Sequence, residues 1–244
     1  MTADTIQSVD TARLDSPALL RLGAVAMVVG LLGQLPLGAL HPHEAYANDS
    51  AAAFHEYAHS HDWVVVHLGQ FLGVLLVALG LVAMARSLAR QRDLPGALGV
   101  VGAVTAVVSV AVFAVQMAVD GVALKAAVDA WVSAPGATEQ EVAYRVAESI
   151  RSVEKGLSAL FNLTNGLTLL CLGVAVGLGR GRPRWLGWAG AVSGLGLVAV
   201  GVLTARTGFS REATSLMLPT TAVLAVFTVG MAVSMWRRAR HIRT

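Results

Sequence analysis

Histidines are concentrated in one short part of the sequence. Six of the seven lie between residues 41 and 70: His41, His43, His55, His59, His61 and His67. His55-Glu56-Tyr57-Ala58-His59 matches the H-E-x-x-H pattern, in which histidines four residues apart share a helix face and bind zinc while the glutamate acts as general base. A catalytic zinc needs a third protein ligand, and no later segment supplies an evident one. A zinc hydrolase or peptidase that uses Glu56 is therefore one alternative, and a solvated polar loop is the simplest interpretation.

A looser metal site is a second alternative for these side chains. It would take its ligands from His41, His43, His55, His59 and His61, because neutral imidazole is a common metal ligand. Haem is not expected, since ligation by two histidines would require a second histidine beside His67 within the helices. We therefore predict no firm metal or cofactor, with zinc at His55 and His59 as the alternative.

His67 stands apart because it lies about one helical turn inside an apolar run, and Gln70 follows one turn later. Polar and ionisable side chains at such a depth face the interior of a membrane bundle. Residues at similar depth on other runs are candidate partners, and Gln34 and Asn162 are among them. The predicted outer polar site contains His67, Gln70, Gln116, Asp120, Glu154 and Arg206. It would bind a small solute, a metal ion or a partner protein; alternatively, these groups only form interhelical hydrogen bonds that fix the packing.

The elements that must position these residues are membrane helices. Hydrophobic residues make up 55% of the chain and charged residues only 14%, and the apolar excess falls into six runs of about 20 residues, enough to cross ~30 Å of hydrocarbon. The predicted fold is an all-α bundle of six transmembrane helices over residues 17–236. The spans are 17–40, 63–86, 96–119, 156–179, 185–204 and 215–236, with a histidine-rich loop at 41–62.

Arginine is distributed unequally between the two sides of this bundle. Twelve of the eighteen Lys and Arg residues fall on the side of the termini: Arg13, Arg21, Arg86, Arg90, Arg92, Arg180, Arg182, Arg184, Arg237, Arg238, Arg240 and Arg243. The positive-inside rule then places both termini in the cytoplasm and the histidine-rich loop outside a plasma membrane. Residues 1–16 are predicted to be a disordered cytoplasmic tail and residues 237–244 a basic one.

The segment between the third and fourth spans predicts a helical hairpin over residues 120–155 on the outer face. Thr138-Glu139-Gln140-Glu141 matches a capping box, and no helix breaker follows before Gly156. A helix that continues to Leu178 would be roughly 60 Å long, about twice the hydrocarbon thickness. One face of it is apolar, and we expect it to pack on the third helix or the histidine-rich loop: Val142, Val146, Ile150, Val153, Leu157 and Leu160.

Several other classes lack support in the sequence. A single cysteine, Cys171, excludes an intramolecular disulfide, and no phosphate-binding or dinucleotide fingerprint is present. The net charge of +3 gives no reason to expect nucleic acid. Small residues four apart, as at Gly173/Gly177 and Gly190/Gly194, permit close helix contact, and a homo-oligomer stays possible.

Six segments carry a resemblance to a family: NDSAAAFHEYA, WVVVHLGQF, AVDGVALK, RVAESIRSVEKG, PRWLGW and TGFS. They resemble a group of uncharacterised multi-pass membrane proteins of high-GC Gram-positive bacteria. The resemblance implies six membrane helices and no assigned activity. It also singles out positions equivalent to Asp49, Tyr57, His67, Gln70, Asp120, Lys125, Glu148, Arg151 and Glu154. It does not require histidine at positions 55 and 59, which weighs against the zinc hydrolase.

We therefore predict a non-enzymatic plasma-membrane protein with an outward-facing polar site. A zinc hydrolase and a purely structural or interaction protein are the alternatives.

Overall fold

The computed structural model describes residues 16–42 and 45–242, and these residues form helices and short turns without a strand. Seven helices follow one another: α1 Pro17–Leu40, α2 Ser50–His59, α3 Trp63–Leu88, α4 Leu94–Val132, α5 Ala137–Leu178, α6 Arg184–Thr207 and α7 Arg211–His241. All except α2 are long and apolar enough to cross a membrane. The predicted all-α class with six spanning helices is confirmed, and it indicates a multi-pass membrane protein.

Helices α4 and α5 include the predicted hairpin. The helix predicted over 96–119 continues to Val132 as α4, and the one predicted over 156–179 begins at Ala137 as α5. The predicted tail at 237–244 is helical through His241, because Arg and Ala have high helix propensity and no glycine or proline follows Trp236. The predicted tail at 1–16 lies outside the described residues except for Ser16, whose hydroxyl oxygen accepts a bond from the Leu19 N–H and caps α1.

The six long helices form a closed ring. Each packs on its neighbours in the sequence order α1, α3, α4, α5, α6 and α7, and α7 returns to α1. Helices α5 and α6 approach each other closely, since a Cβ placed on Gly194 would lie 2.6 Å from the Leu170 backbone nitrogen. Small residues at this interface therefore let the two backbones pack closely, as in other membrane bundles.

Two apolar clusters stabilise opposite ends of the ring. The larger cluster includes Met27, Met84, Leu172, Phe227 and Met231, which are fully buried. The smaller one joins α2 to the α4–α5 hairpin and lies beside the polar site: Phe54, Tyr57, Trp63, Leu124, Val128, Trp131 and Ala147. The short helix α2 is thereby fixed against the hairpin, although it does not cross the bundle.

The predicted hairpin is present, but two of its predicted details are wrong. Gly136, not Thr138, is the N-cap of α5, and no side chain caps the helix there. The apolar stripe also faces outward: Val142 and Val146 are 61% and 50% exposed, whereas Arg151 and Glu154 on the opposite face are buried. The physical reason is that the ionisable groups must find partners inside the bundle, and their burial turns the opposite, apolar face outward.

Candidate functional site

A cavity of about 670 Å³ lies at the end of the ring that carries the histidine-rich loop. It is lined by residues from the end of α1, the following loop, and helices α2, α3, α4, α5 and α7. They include His41, Tyr46, Glu56, Tyr57, Gln70, Phe113, Gln116, Asp120, Arg151, Glu154, Phe209, Arg211, Thr214 and Ser215. The wall contains both aromatic rings and ionisable groups, which suits a polar ligand that also carries apolar surface.

The first part of the site is a buried contact between α3 and α4. His67 Nε2 lies 3.1 Å from Asp120 Oδ2, and His67 Nδ1 lies 2.7 Å from the Trp63 carbonyl oxygen. The Trp63 indole N–H donates to the Asp120 carbonyl oxygen at 3.0 Å. One ring nitrogen of His67 therefore faces the backbone and the other faces the carboxylate, which fixes the orientation of both side chains.

A single π-helical turn, Val119–Leu124, places Asp120 in this contact. A Cβ on Gly121 would lie 2.6 Å from the Cβ of His67, so only glycine permits the approach of α3 to α4 here. π-Turns inside α-helices are frequent at functional sites, because they shift the direction of the side chains that follow.

The second part of the site is an ion pair on α5. The Arg151 guanidinium donates to Glu154 Oε2 at 2.6 Å, to the Tyr57 hydroxyl at 2.9 Å and to the Ala47 carbonyl oxygen at 3.1 Å. It also lies over the Phe209 ring, with 4.7 Å between the guanidinium carbon and the ring centroid. Arg151, on α5, thus contacts α2, the loop after α1 and the α6–α7 turn.

Asn48 holds that turn in place. Its side-chain nitrogen donates to the Thr207 carbonyl oxygen at 2.8 Å, and its Oδ1 accepts from the Phe209 backbone N–H at 2.8 Å. The turn itself needs glycine, since Gly208 has φ of +65° and a Cβ there would lie 2.7 Å from Asn48 Oδ1. Asn48 and Gly208 together position the Phe209 ring against Arg151.

Three polar atoms at the cavity have no hydrogen-bond partner among the described residues. They are Asp120 Oδ1, Gln116 Oε1 and Arg151 Nε, and all three residues are more than nine-tenths buried. Buried polar atoms are nearly always bonded, so an unpartnered one marks a place where water or a ligand belongs. Asp120 and Gln116 are four residues apart on α4, and both line the cavity.

Two further groups at the cavity are held neutral. Burial lowers the pKa of His41, whose ring centroid lies 5.3 Å from that of His67. Burial also raises the pKa of Tyr57 to about 12. At neutral pH both side chains are therefore uncharged.

The structure brings together most of the predicted site residues. His67, Asp120 and Glu154 belong to the two contacts above, and Gln70 and Gln116 line the cavity. Arg206 does not belong: its side chain is exposed on α6, away from the cavity. Of the two further companions, Gln34 donates to the Gln70 carbonyl oxygen at 2.9 Å, and Asn162 bonds within its own helix.

Two central residues, Arg151 and Tyr57, were missing from the residue-based prediction. A signal for Arg151 existed, because it precedes Glu154 by three residues and so shares its helix face. Both were among the positions that the family resemblance singled out. Three other such positions serve local contacts: Asp49 caps α2, Lys125 pairs with Asp129, and Glu148 pairs with Arg145.

The H-E-x-x-H segment forms the second half of α2, but its side chains point in different directions. His55 and His59 are exposed, with the His55 ring 4.6 Å from the Trp131 ring centroid and His59 Nδ1 2.6 Å from the His55 carbonyl oxygen. Glu56 instead faces the cavity, where its Oε2 accepts from the Ala45 backbone N–H at 3.1 Å.

The looser histidine set does not converge either. His41 packs on Trp63 inside the site, His61 is exposed, and His43 lies outside the described residues. Within the described ranges, no group of three or more His, Cys, Asp or Glu side chains is placed to hold a metal ion.

Comparisons with known protein families, with curated proteins and with solved structures found no match.

Proposed function

We propose that this chain is a non-enzymatic plasma-membrane protein with both termini in the cytoplasm. Its cavity opens outward and binds a small organic cation that carries a protonated amine. The orientation rests on the arginine asymmetry, since the end of the ring opposite the cavity carries most of the basic residues. Asp93 is the one described carboxylate at that end, and it caps α4.

The observation that carries the ligand class is the free Asp120 Oδ1. A carboxylate oxygen without a donor in a buried site is costly, and a ligand N–H would satisfy it with a charge-assisted bond. Gln116 Oε1 offers a second acceptor one turn away on the same helix. Because Arg151 and Glu154 already pair with each other, Asp120 beside the imidazole of His67 is the group best able to attract a cation.

The remaining wall suits the carbon part of such a ligand. Tyr46, Tyr57, Phe113 and Phe209 line the cavity, and aromatic faces attract cations as well as apolar groups. The volume of about 670 Å³ falls in the range of ordinary small-molecule sites, roughly 300–1,000 Å³. An organic cation is favoured over a metal ion because a metal takes four or more ligand atoms.

Paired probes test this proposal. Phenethylammonium and 2-phenylethanol have nearly the same shape, but only the first carries a charged amine. We expect phenethylammonium to raise the melting temperature of the detergent-purified protein and 2-phenylethanol to have little effect. Losing a charged hydrogen bond costs about 1.5–3 kcal/mol, so Asp120→Asn should weaken amine binding roughly tenfold to a hundredfold.

Asp129→Asn is the matched control, because Asp129 lies on the same helix, pairs with Lys125 and does not line the cavity. Its affinity for the amine should equal that of the unmodified protein. Equal effects of the amine and the alcohol, or equal losses in the two variants, would refute the proposed ligand class.

A further inference from the structure

A second site lies at the arginine-rich end of the ring, far from the cavity. A groove of about 410 Å³ runs between α1 and α7, which we call the basic groove. It is lined by alanines and valines of both helices and, at one end, by Trp236, Arg237 and Arg240. Alanines form the buried floor and valines the exposed walls, so the groove is apolar along its length and basic only where α7 leaves the membrane region.

The groove exists because small residues stand where α1 and α7 meet. Ala24 and Ala232 are 3% and 2% exposed, whereas Val25, Val29 and Val233 next to them are about half exposed. Short side chains flanked by longer ones leave a channel on the outer surface of the ring, which is the surface that faces lipid. An apolar channel in that position suits an acyl chain.

Basic side chains lie at one end of the groove. Arg237 and Arg240 are one turn apart on α7 and exposed, and Arg21 of α1 lies over the Trp236 ring at 5.8 Å. The Nε of Arg21 is buried and has no hydrogen-bond partner among the described residues. Exposed arginines and a buried donor without an acceptor, beside an apolar channel, are complementary to a phosphate attached to a hydrocarbon tail.

We propose that the basic groove binds one anionic glycerophospholipid. One acyl chain lies between the valine walls, and the headgroup phosphate accepts hydrogen bonds from Arg237, Arg240 and Arg21. Trp236 sits at the junction of tail and headgroup, the depth that tryptophan prefers in membranes. The proposal involves no residue of the cavity, so it can be tested independently of the proposed function.

Lipid retention measures this binding. The full-length protein is reconstituted in mixed phosphatidylglycerol and phosphatidylcholine, re-extracted in mild detergent, and its bound lipid is quantified by mass spectrometry. We expect about one phosphatidylglycerol per chain and little phosphatidylcholine. Each arginine near a membrane surface contributes roughly fivefold to anionic lipid binding, so Arg237→Gln with Arg240→Gln should lower phosphatidylglycerol affinity roughly thirtyfold.

Two comparisons distinguish lipid binding in the groove from general attraction by surface charge. Arg180→Gln with Arg184→Gln removes the same charge from the α5–α6 turn at the same end, and both residues are exposed and outside the groove; retention should be unchanged. Val233→Trp fills the groove from its exposed wall without touching an arginine, and retention should fall. Equal losses in the two arginine pairs, full retention in Val233→Trp, or no preference for phosphatidylglycerol would each overturn the proposal.

Discussion

The Arg151–Glu154 pair allows a demanding test of the packing at the cavity. Both side chains are at least 95% buried, and the guanidinium donates to the carboxylate at 2.6 Å. Removing one partner of a buried ion pair costs about 3–5 kcal/mol, because the other charge stays buried without compensation. In Glu154→Ala the guanidinium keeps its bonds to the Tyr57 hydroxyl and the Ala47 carbonyl oxygen. We therefore expect Glu154→Ala to lower the free energy of unfolding by about 3 kcal/mol, the lower end of that range.

The same helix supplies a matched control. Arg145 pairs with Glu141 one turn apart, but these side chains are 69% and 61% exposed. Water and salt screen such a pair, and most exposed ion pairs contribute little to stability. Glu141→Ala should therefore leave the free energy of unfolding unchanged within error.

Reversible unfolding in mixed detergent, followed by tryptophan fluorescence, measures both variants. Trp63 is fully buried and lies beside Tyr57, so its emission reports on this part of the protein. Replacing both partners, as in Arg151→Met with Glu154→Leu, should recover part of the lost stability, because no charge is then left buried. If Glu154→Ala were as stable as the unmodified protein, or if Glu141→Ala were equally destabilised, the buried pair would not exist as described.

Three further outcomes follow from local geometry. Gly121→Ala should destabilise the protein because its Cβ would collide with α3. Gly156→Ala has open space around it and should be neutral or stabilising by up to about 1 kcal/mol. Thermal melting in detergent compares the two variants, and equal effects would argue against the close α3–α4 contact. Asp49→Ala should lower the free energy of unfolding by about 1 kcal/mol, because it removes the side-chain cap of α2. Asp62→Ala should lower it less, because the Asp62 side chain makes no capping bond to α3. Equal losses of stability would contradict the cap assignment. The purified protein should hold no stoichiometric zinc by elemental analysis, and zinc that disappears in His55→Ala would instead support the hydrolase alternative.

The helices were predictable because their signals are local. A run of about 20 apolar residues forms a membrane helix whatever packs around it, since backbone groups in lipid must bond internally. The length of α5 was also predictable, because no breaker occurs between residues 139 and 155 and the helix does extend over Ala137–Leu178. The helix start was predicted wrongly, because Gly136 rather than Thr138 is the N-cap.

The orientation of each helix about its own axis was harder to predict. Counting residues along a run gives the depth of a side chain, which correctly grouped His67, Asp120 and Glu154. Depth says nothing about rotation, so Arg206 was expected at the site although its side chain faces away from it. For α5 the pattern showed two faces, but only contacts distant in sequence decide that the face of Arg151 lies inside.

The π-turn and the hydrogen bonds of Asn48 to the α6–α7 turn were not predicted from the sequence for the same reason. The turn at 119–124 has no composition of its own, and its effect is visible only where Gly121 meets His67. Asn48 reaches residues about 160 positions away along the chain. Such contacts depend on how the ring closes, which local patterns do not encode.

Cysteine labelling in intact cells tests most directly whether the cavity opens outward. Cys171→Ala removes the single native cysteine, and Ser215→Cys then places a thiol on the cavity wall, where Ser215 is exposed. Arg92→Cys places the control thiol at the opposite end of the ring. We predict that a membrane-impermeant maleimide labels Ser215→Cys in intact cells and labels Arg92→Cys only after lysis. Labelling of Arg92→Cys alone in intact cells would contradict the proposed orientation and with it the outward-facing site.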